Sequence, residues 1–518
     1  MHQFIKRHEK DIIGVLSGFD RIRFRGTIRW LGSVPGVMTF LWEIQVRLTE
    51  FTAWAKGLTQ QIVEASERIA ETAGRPMMYL YSSSASKEEL ALAIAKADNV
   101  TEGLVCVFKC VEQCQTFKVG PNAKTKKLEL RQFQGKCSHY YFYMLHPRFG
   151  LLHLRLQTWL PFTIHVCMNG REWLARELRQ RGIGFEQRDN CFVWIKNIAT
   201  AQNLADQQLR TDWSGLLDDL RRLFHPVHDT MFGKQLMDIY WSADETEWAT
   251  DVMFRSRAAL GQVYPALVRH AMTAFGCKDV LKFLGRSPKI QYYRASDIAI
   301  TLTTRPEGTC VRYRLNRNSI KMYDKQGTVL RIETTINDPR DMKVLRPREG
   351  HPAEIKTWQQ LRKGVADLHR RAEVSQKSNE RYLDALAAVH HEQPLGEMIS
   401  DLCQPTKLNG RRVRALQPLS PDDNRLLLAV NRGEFAINGF RNRDLRSLLF
   451  GTAKVAAAEL KRQGARTTRQ LRMLRAHHLI RKVSKTHRYT LTPKGRLVIN
   501  ALLTSQQASP QQLAQLAA

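Results

Sequence analysis

The sequence predicts a multidomain α+β protein with an antiparallel-sheet body, helical insertions and a separate basic module at the C-terminus. Three observations predict this class. The 518 residues exceed what one compact core usually holds. Runs of alternating apolar and polar residues recur between segments of helical periodicity. Positive charge is concentrated towards the C-terminus, which indicates a module with its own function.

The charge balance predicts a polyanionic partner. The chain has 80 Lys and Arg against 49 Asp and Glu, a formal net charge of +31. A protein this basic repels itself without a polyanion, and nucleic acid is the commonest one. No run of about 18 apolar residues and no signal-peptide core occurs, so we expect no membrane partner and a cytoplasmic, nucleoid-associated protein. DNA is the favoured partner and structured RNA the alternative.

Nine cysteines without a CxxC pair predict reduced thiols rather than a disulfide framework. Cys106, Cys110 and Cys114 have a spacing that suggests metal ligands. The stretch around them alternates like a strand, however, which places all three on one face. We therefore favour small buried apolar side chains over a zinc site.

The first 195 residues contain most of the predicted strands. Residues 11–18 and 19–28 are predicted as two short strands around a glycine turn, with Arg23 and Arg25 facing outward from the second. Ser86 caps a helix, and Asn169 opens another over 170–181. The remaining candidate strands are 103–118, 126–133, 138–145, 150–157, 162–167, 183–187 and 191–195.

Composition and periodicity divide the chain into eight segments. They are an N-terminal α/β segment 1–100, an antiparallel-sheet α+β domain 101–197, a helical segment 198–290, a strand-rich segment 291–345, a long helix 355–392, a basic linker 393–419, the C-terminal module 420–503 and a flexible tail 504–518.

The C-terminal module has the pattern helix, strand, helix, helix, hairpin. Within 406–496 there are 22 Lys and Arg against five Asp and Glu. The elements are a helix at 423–430, a strand at 434–440, a second helix at 442–450, a third helix at 467–480 and a two-stranded wing at 480–495, with 451–464 as an insertion between the second and third helices.

The third helix and the wing carry the predicted nucleic-acid contacts. Leu471, Leu474 and Leu479 face inward, and arginines recur every three residues on the other side. Arginine suits both bidentate guanine contacts and phosphate contacts. The predicted binding residues are Arg466, Arg469, Arg472 and Arg475 on the helix, and Lys482, Lys485, His487 and Arg488 on the wing.

The run LRMLRAHHLIRKVSKTHRYTLTPKGR resembles the third helix and wing of winged-helix transcription regulators, including the MarR type. The resemblance implies a winged helix-turn-helix that recognises a site in duplex nucleic acid. The alternative is a winged helix used only for protein contacts.

A candidate catalytic centre lies within 309–338, which is predicted to form three antiparallel strands. Cross-strand neighbours would bring Tyr313, Tyr323, Lys325 and Glu333 together. A tyrosine oxygen can attack a DNA phosphate, with a divalent metal polarising that phosphate and cations near the developing charge. Glu333 is the candidate ligand for Mg²⁺ or Mn²⁺, and the candidate cations are Arg331, Lys325 and Arg314.

The run SIKMYDKQGTVLRIETTI resembles a stretch of the rolling-circle replication initiators of plasmids and filamentous phages. In that family a YDK-type strand precedes an R-x-E strand, which implies nicking chemistry. The His-x-His metal motif is missing here, and His153 and His165 are the nearest candidates. An ordinary hairpin with a Lys/Glu cross-strand pair is the alternative.

An acid on an early strand and a group of later acids could together form a two-metal nuclease or transposase site. We favour a solvated helix start for the later acids, in 242–251. No Walker A, GxGxxG, GxSxG or HExxH motif occurs, so we expect no nucleotide or redox cofactor. The acids of this set are Asp20, Asp244, Glu245, Glu247 and Asp251.

Two functional hypotheses follow. The first is DNA handling for a mobile element, as a replication initiator, nicking protein or transposase-like protein, which would be a metal-dependent nicking or strand-transfer enzyme. The second is a non-catalytic protein that binds DNA or structured RNA, as a transcription regulator or a ribonucleoprotein component.

Overall fold

The structure is a computed structural model whose described residues form two compact units. We call Glu9–Leu260 with Arg317–Asn379 the sheet unit, and Met1–His8 with Gly261–Asn316 and Glu380–Ala518 the C-terminal unit. The description omits residues 82–85, 233–237, 287–296, 306–307, 349, 351–355, 388–394, 433–434, 436–438, 452, 454, 485, 508 and 510–518.

The sheet unit is mixed α/β, with one large sheet that is mainly antiparallel. The strands of the unit are β1 Ile12–Ile28, β2 Met77–Tyr79, β3 Gly103–Pro121, β4 Leu128–His146, β5 Gly150–Gln157, β6 Ile164–Asn169, β7 Phe185–Arg188, β8 Cys191–Ile195, β9 Ile239–Phe254, β12 Asn318–Lys325, β13 Val329–Ile336, β14 Lys343–Pro347 and β15 Lys356–Gln360. In the large sheet, neighbouring strands follow the order β12-β13-β9-β1-β6-β5-β4-β3-β2, and the β2–β3 pair is parallel. Hairpins β7–β8 and β14–β15 lie outside this sheet.

Two helices of this unit begin at the capping residues that the sequence predicts. The Ser86 hydroxyl accepts from the Glu89 amide at 3.4 Å, and Asn169 Oδ1 accepts from the Arg171 amide at 2.8 Å. The helices are Val34–Glu43, Phe51–Thr72, Lys87–Ala97, Gly170–Gln180, Ile198–Gln208, Trp213–Phe224, His228–Phe232 and Leu368–Leu386, the last belonging to this unit up to Asn379.

The main sheet has one apolar and one polar face over β1, β9 and β13. Phe24, Trp248 and Leu154 are among the buried residues of the main apolar core. Along β1, Ile22 and Phe24 are buried while Arg23 is exposed, as the alternation predicts. The polar face therefore collects the charged residues of several strands.

Three secondary-structure predictions in this unit are wrong. Residues 12–28 form the single strand β1, without a turn at Gly18, because β1 pairs with β9 along almost its entire length. The strands predicted at 126–133 and 138–145 belong to the single strand β4, which pairs with β3 without interruption from Leu128 onward. Residues 242–251 lie within strand β9 and do not start a helix. The acids of 242–251 mask its strand character. Asp244, Glu245 and Glu247 have their arginine partners on β1, more than 200 residues away in the chain.

The C-terminal unit is rich in helices. Its strands are β10 Ile298–Arg305, β11 Gly308–Leu315, β16 Thr406–Leu408, β17 Arg411–Val413, β18 Phe440–Arg441, β19 Ile480–Lys482 and β20 Arg488–Leu491. Its helices are His2–Arg7, Arg257–Ala274 from Gly261 onward, Cys277–Phe283, Leu395–Leu402, Pro421–Val430, Asn442–Phe450, Ala457–Ala476 and Pro493–Gln507. Among the described residues, no helix combines the length and apolar character that a membrane span requires.

Three helix boundaries differ from the predictions. The third helix of the C-terminal module starts at Ala457, well before the predicted start, because Ala, Glu, Lys and Arg in the supposed insertion 451–464 are strong helix formers. The helix predicted over 355–392 begins only at Leu368, since 356–360 form strand β15. Helix Pro493–Gln507 includes the start of the predicted tail, most of which lies outside the described residues.

We predict that Gly170→Ala destabilises the sheet unit by about 1–3 kcal/mol. A Cβ at Gly170 would lie 2.3 Å from the Phe19 carbonyl oxygen on β1, so the helix it opens would have to shift. Gly57→Ala is the matched control, because it lies inside helix Phe51–Thr72 with nothing within 4 Å of its Cβ position. Gly57→Ala should raise stability by about 0.5–1 kcal/mol. Urea unfolding followed by circular dichroism tests both, and equal midpoints would contradict the prediction.

Candidate functional site

Three buried carboxylates converge on the polar face of the sheet unit. Asp20, Glu247 and Glu333 each offer one oxygen, and these three oxygens all lie within 4.8 Å of one another. The residues are 4%, 8% and 1% exposed. We call them the carboxylate cluster.

Strand pairing and one irregularity of β1 produce this convergence. Asp20 is an extra residue between the pairs Phe19–Trp248 and Arg21–Glu247, so a β-bulge turns it towards the polar face. Glu247 pairs with Thr335, two residues beyond Glu333 on β13. The three acids thus lie on three adjacent strands, β1, β9 and β13.

Each acid of the cluster faces a cation. Lys321 Nζ lies 2.5 Å from Glu333 Oε1 and 3.7 Å from Glu247 Oε1. Arg21 donates to Glu247 Oε1 at 3.0 Å, and Arg331 Nη1 lies 3.2 Å from Asp20 Oδ2. The cluster is therefore part of a larger ion-pair network on this face.

Arg331 and Arg171 anchor the network from within the sheet unit. Arg331 is fully buried and donates to both Asp251 oxygens, at 2.6 and 2.9 Å. Arg171 Nη2 lies 2.9 Å from Asp251 Oδ2. Asn190 donates to both oxygens of Asp20 at 2.8 Å. The position of Asp20 is fixed on two sides.

Burial and neighbouring charges move the pKa values of the cluster in opposite directions. Burial, then the charge of Glu333, raises the pKa of Glu247, and burial raises the pKa of Asp20. Burial also acts to raise the pKa of Glu333, but Lys321, Arg331 and the hydrogen bond from Tyr323 together outweigh it, so the net pKa is lowered. Glu333 is thus the acid most firmly held as a carboxylate, while the other two hold protons more readily than usual.

A polar cleft of about 420 Å³ opens on the same sheet face. The side chains of Arg23 and Arg25 are 46% and 37% exposed and reach into it. Glu245 lines it as well, and lies on the same face of β9 as Glu247. The cations that line the cleft are Arg23, Arg25, Arg155, Arg317 and Lys363.

The structure brings two of the four predicted catalytic residues together. The Tyr323 hydroxyl donates to Glu333 Oε2 at 2.7 Å, and burial raises the pKa of Tyr323 well above its ordinary value. Lys325 pairs instead with Asp189, 2.6 Å away.

Tyr313 belongs to the C-terminal unit, where it is fully buried. Its hydroxyl donates to the Ala271 carbonyl oxygen at 2.7 Å, and its ring packs against Phe275, Phe283 and Tyr382. This is the environment of a core tyrosine.

The predicted arginines of the third helix line a groove in the C-terminal unit. Arg466, Arg469 and Arg472 share a cavity of about 900 Å³ with Arg412 and Arg414. We call these five residues and their cavity the arginine groove. As predicted, Leu471, Leu474 and Leu479 are buried, and they belong to the apolar core of the C-terminal unit.

The remaining predicted binding residues lie outside the groove lining. Arg475 is half-buried, Lys482 and His487 are exposed, and Arg488 donates to the Gly439 carbonyl oxygen at 3.2 Å. Lys485 lies outside the described residues.

Comparison of the chain with protein-family models, with curated proteins and with solved structures finds no match. The site can therefore be interpreted only from its own geometry and chemistry.

His153 and His165 predict acid sensitivity of the sheet unit. Burial and then Arg23 lower the pKa of His153 to about 3, and burial and then Arg155 lower that of His165. A histidine with a lowered pKa contributes stability above its unfolded value of 6.5, and this stability is lost as the pH falls. His153→Gln should therefore lose fewer degrees of melting temperature than the wild type between about pH 7 and pH 5.

The exposed His487→Gln is the control for this comparison and should behave as the wild type. Melting curves at several pH values measure the effect. Parallel losses in His153→Gln and the wild type would contradict the neutral state of His153.

Proposed function

We propose that the chain is a DNA-binding protein whose C-terminal module is a winged helix that holds duplex through the arginine groove. The observation that carries this proposal is the row Arg466, Arg469 and Arg472 lining one groove with Arg412 and Arg414. The order helix, strand, helix, helix, strand, strand over Pro421–Leu491 and the sheet order β18-β20-β19 support a winged helix.

Two arginines of the groove are restrained by acids, and two on the third helix are available to a ligand. Arg414 pairs with Asp423 at 2.5 Å. Arg466 pairs with Asp422 at 2.7 Å, and its guanidinium lies 5.6 Å from the ring centroid of Phe450. In the described part of the chain, Arg469 and Arg472 have no acidic partner. Two unpaired guanidiniums one helical turn apart can contact successive phosphates or a base edge without breaking an internal ion pair.

We predict that Arg469→Ala with Arg472→Ala weakens duplex binding about tenfold or more and lowers the salt dependence of the affinity. Arg462→Ala is the matched control: it lies on the same helix, outside the groove lining, and pairs with Glu459 at 3.1 Å. Fluorescence anisotropy over a salt series measures both quantities. Equal losses in Arg462→Ala would mean that the helix contributes only general positive charge.

For the sheet unit, we propose metal-dependent phosphodiester cleavage or strand transfer, the chemistry that a mobile-element protein applies to its DNA. Oxygens on opposite sides of a Mg²⁺ lie about 4.2 Å apart, since each is bound at about 2.1 Å. A spread of 4.8 Å at most fits such an ion after small side-chain movements. Asp20, Glu247 and Glu333 would hold Mg²⁺ or Mn²⁺, which when bound polarises the scissile phosphate.

The chain's own groups have separate roles in this proposal. The exposed Arg21 and Arg23 and the half-buried Arg25 contact the phosphate backbone along β1. Lys321 keeps Glu333 ionised. If Tyr323 is the nucleophile, Glu333 Oε2 would accept its hydroxyl proton as the tyrosine oxygen bonds to phosphorus. The bond from phosphorus to the sugar oxygen would break in the same step, and that oxygen would take a proton from water to leave as a hydroxyl group.

One observation favours the second candidate, a non-catalytic nucleic-acid-binding protein. The acids Asp20, Glu247, Glu333 and Asp251 are matched in number by Lys321, Arg21, Arg331 and Arg171. An ion-pair network whose charges already balance needs no metal, and it can fix the register of the strands that it joins.

We predict that Glu247→Gln lowers Mg²⁺- or Mn²⁺-dependent nicking of supercoiled plasmid more than about 100-fold, because several kcal/mol of transition-state stabilisation depend on the bound metal. Asp219→Asn is the control, since Asp219 is exposed and pairs with Arg222 on its own helix. Intact plasmid with both metals in the wild type would favour the non-catalytic candidate.

The Tyr323→Phe variant shows, in the same assay, whether the nucleophile is Tyr323 or water. A DNA strand linked to the wild-type protein, and absent from Tyr323→Phe, identifies Tyr323. Nicking that persists in Tyr323→Phe, with no linked strand in either protein, identifies water.

A further inference from the structure

A second group of potential ligands lies on strands β3 and β4 of the sheet unit, and it consists of sulfur and nitrogen donors. Cys114, Cys137 and His139 each offer one atom, and these three atoms lie within 4.8 Å of one another. The two Sγ atoms are 3.0 Å apart. None of the three residues takes part in the proposed chemistry of the carboxylate cluster.

Strand register explains why these residues meet. β3 and β4 are antiparallel, with Glu112 opposite Cys137 and Gly135 opposite Cys114. Cys114 is therefore the diagonal neighbour of Cys137, and the residue directly opposite Cys114 has no side chain. His139 follows Cys137 by two residues and so lies on the same face of β4.

The histidine has the hydrogen bonding of a metal ligand. His139 is 1% exposed, and its Nδ1 lies 3.1 Å from the Cys137 carbonyl oxygen. A proton on Nδ1 donated to that carbonyl leaves a lone pair on Nε2, which is the arrangement of most metal-bound histidines. Among the described residues, Nε2 is buried and has no hydrogen-bond partner.

An imidazole nitrogen buried without a partner is costly, and this one lies next to two thiols. A cation would satisfy the nitrogen and both sulfurs together. Two thiolates balance the charge of a divalent ion, and a Cys₂His donor set is typical of Zn²⁺. The cluster supplies three ligands, which leaves a fourth position for water or another donor.

We propose that Cys114, Cys137 and His139 bind one Zn²⁺ ion. Two thiolates on a tetrahedral Zn²⁺ are about 3.8 Å apart, given a Zn–S distance of about 2.3 Å. Binding therefore separates the two sulfurs by less than 1 Å relative to this structure. A disulfide is the competing state of the two cysteines, but it would leave Nε2 of His139 without a partner.

The test uses the full-length chain, reduced, stripped with a chelator and titrated with Zn²⁺. We expect one tightly bound Zn²⁺ per chain by elemental analysis after gel filtration. Cys114→Ser, Cys137→Ser and His139→Gln should each lower the affinity more than about 100-fold, because losing even a hydrogen-bond partner of a ligand typically costs 10- to 100-fold. Cys403→Ser, at an exposed cysteine of the C-terminal unit, is the control and should keep full binding.

Two further measurements keep the proposal testable if a variant fails to fold. Zn²⁺ should protect Cys114 and Cys137 of the wild type from alkylation, as read by peptide mass spectrometry. Co²⁺ should give the absorption of a thiolate-bound ion. Absence of Zn²⁺ binding, equal alkylation with and without Zn²⁺, or a Cys114–Cys137 disulfide in freshly isolated protein would overturn the proposal.

Discussion

The buried guanidinium of Arg331 is the interaction on which the polar face of the sheet unit depends. It is fully buried on β13, donates twice to Asp251 on β9 and lies 3.2 Å from Asp20 on β1. It also donates to the carbonyl oxygen of Asn190 at 2.8 Å. A buried charge that loses one partner costs several kcal/mol, so the three strands are held in one register. That register determines where Asp20, Glu247 and Glu333 meet.

The same network determines which acids of the carboxylate cluster would be available to a metal. Glu333 is held by Lys321 and Tyr323, whereas Glu247 is held by Arg21, whose side chain is 46% exposed. An exposed arginine can turn to a phosphate at little cost, and a buried one cannot. Under the proposed function, a nucleic-acid backbone that engages Arg21 would release Glu247 from its nearest cation and leave it with Lys321, 3.7 Å away. Substrate binding and metal binding would then be mutually favourable, since Arg21 cannot fully satisfy both anions.

Local patterns predicted much of the fold and only part of the site. Alternation of apolar and polar residues predicted the positions of β3, β5 and β8. The predicted hairpin β12–β13 correctly brought Tyr323 close to Glu333, because a hairpin joins residues that are close in sequence. The positions of Asp20 and Glu247 depend on β1 pairing with β9 and on the bulge at Asp20. The pattern of apolar and polar residues in β1 or in β9 does not indicate which strand, more than 200 residues away, it will pair with. The Cys114–Cys137 contact was missed for a related reason, since spacing along one strand says nothing about the strand beside it.

In the proposed function, the distribution of charge assigns DNA binding to the C-terminal module and phosphodiester chemistry to the sheet unit. Residues 406–496 have 22 Lys and Arg against five acids, while the rest of the chain has 58 against 44. In the sheet unit most of the arginines near the carboxylate cluster already face an acid, so they add little general attraction for a polyanion. Under the proposed function, salt-dependent affinity would then come mainly from the C-terminal module. The sheet unit would position one phosphate for the chemistry rather than capture the DNA.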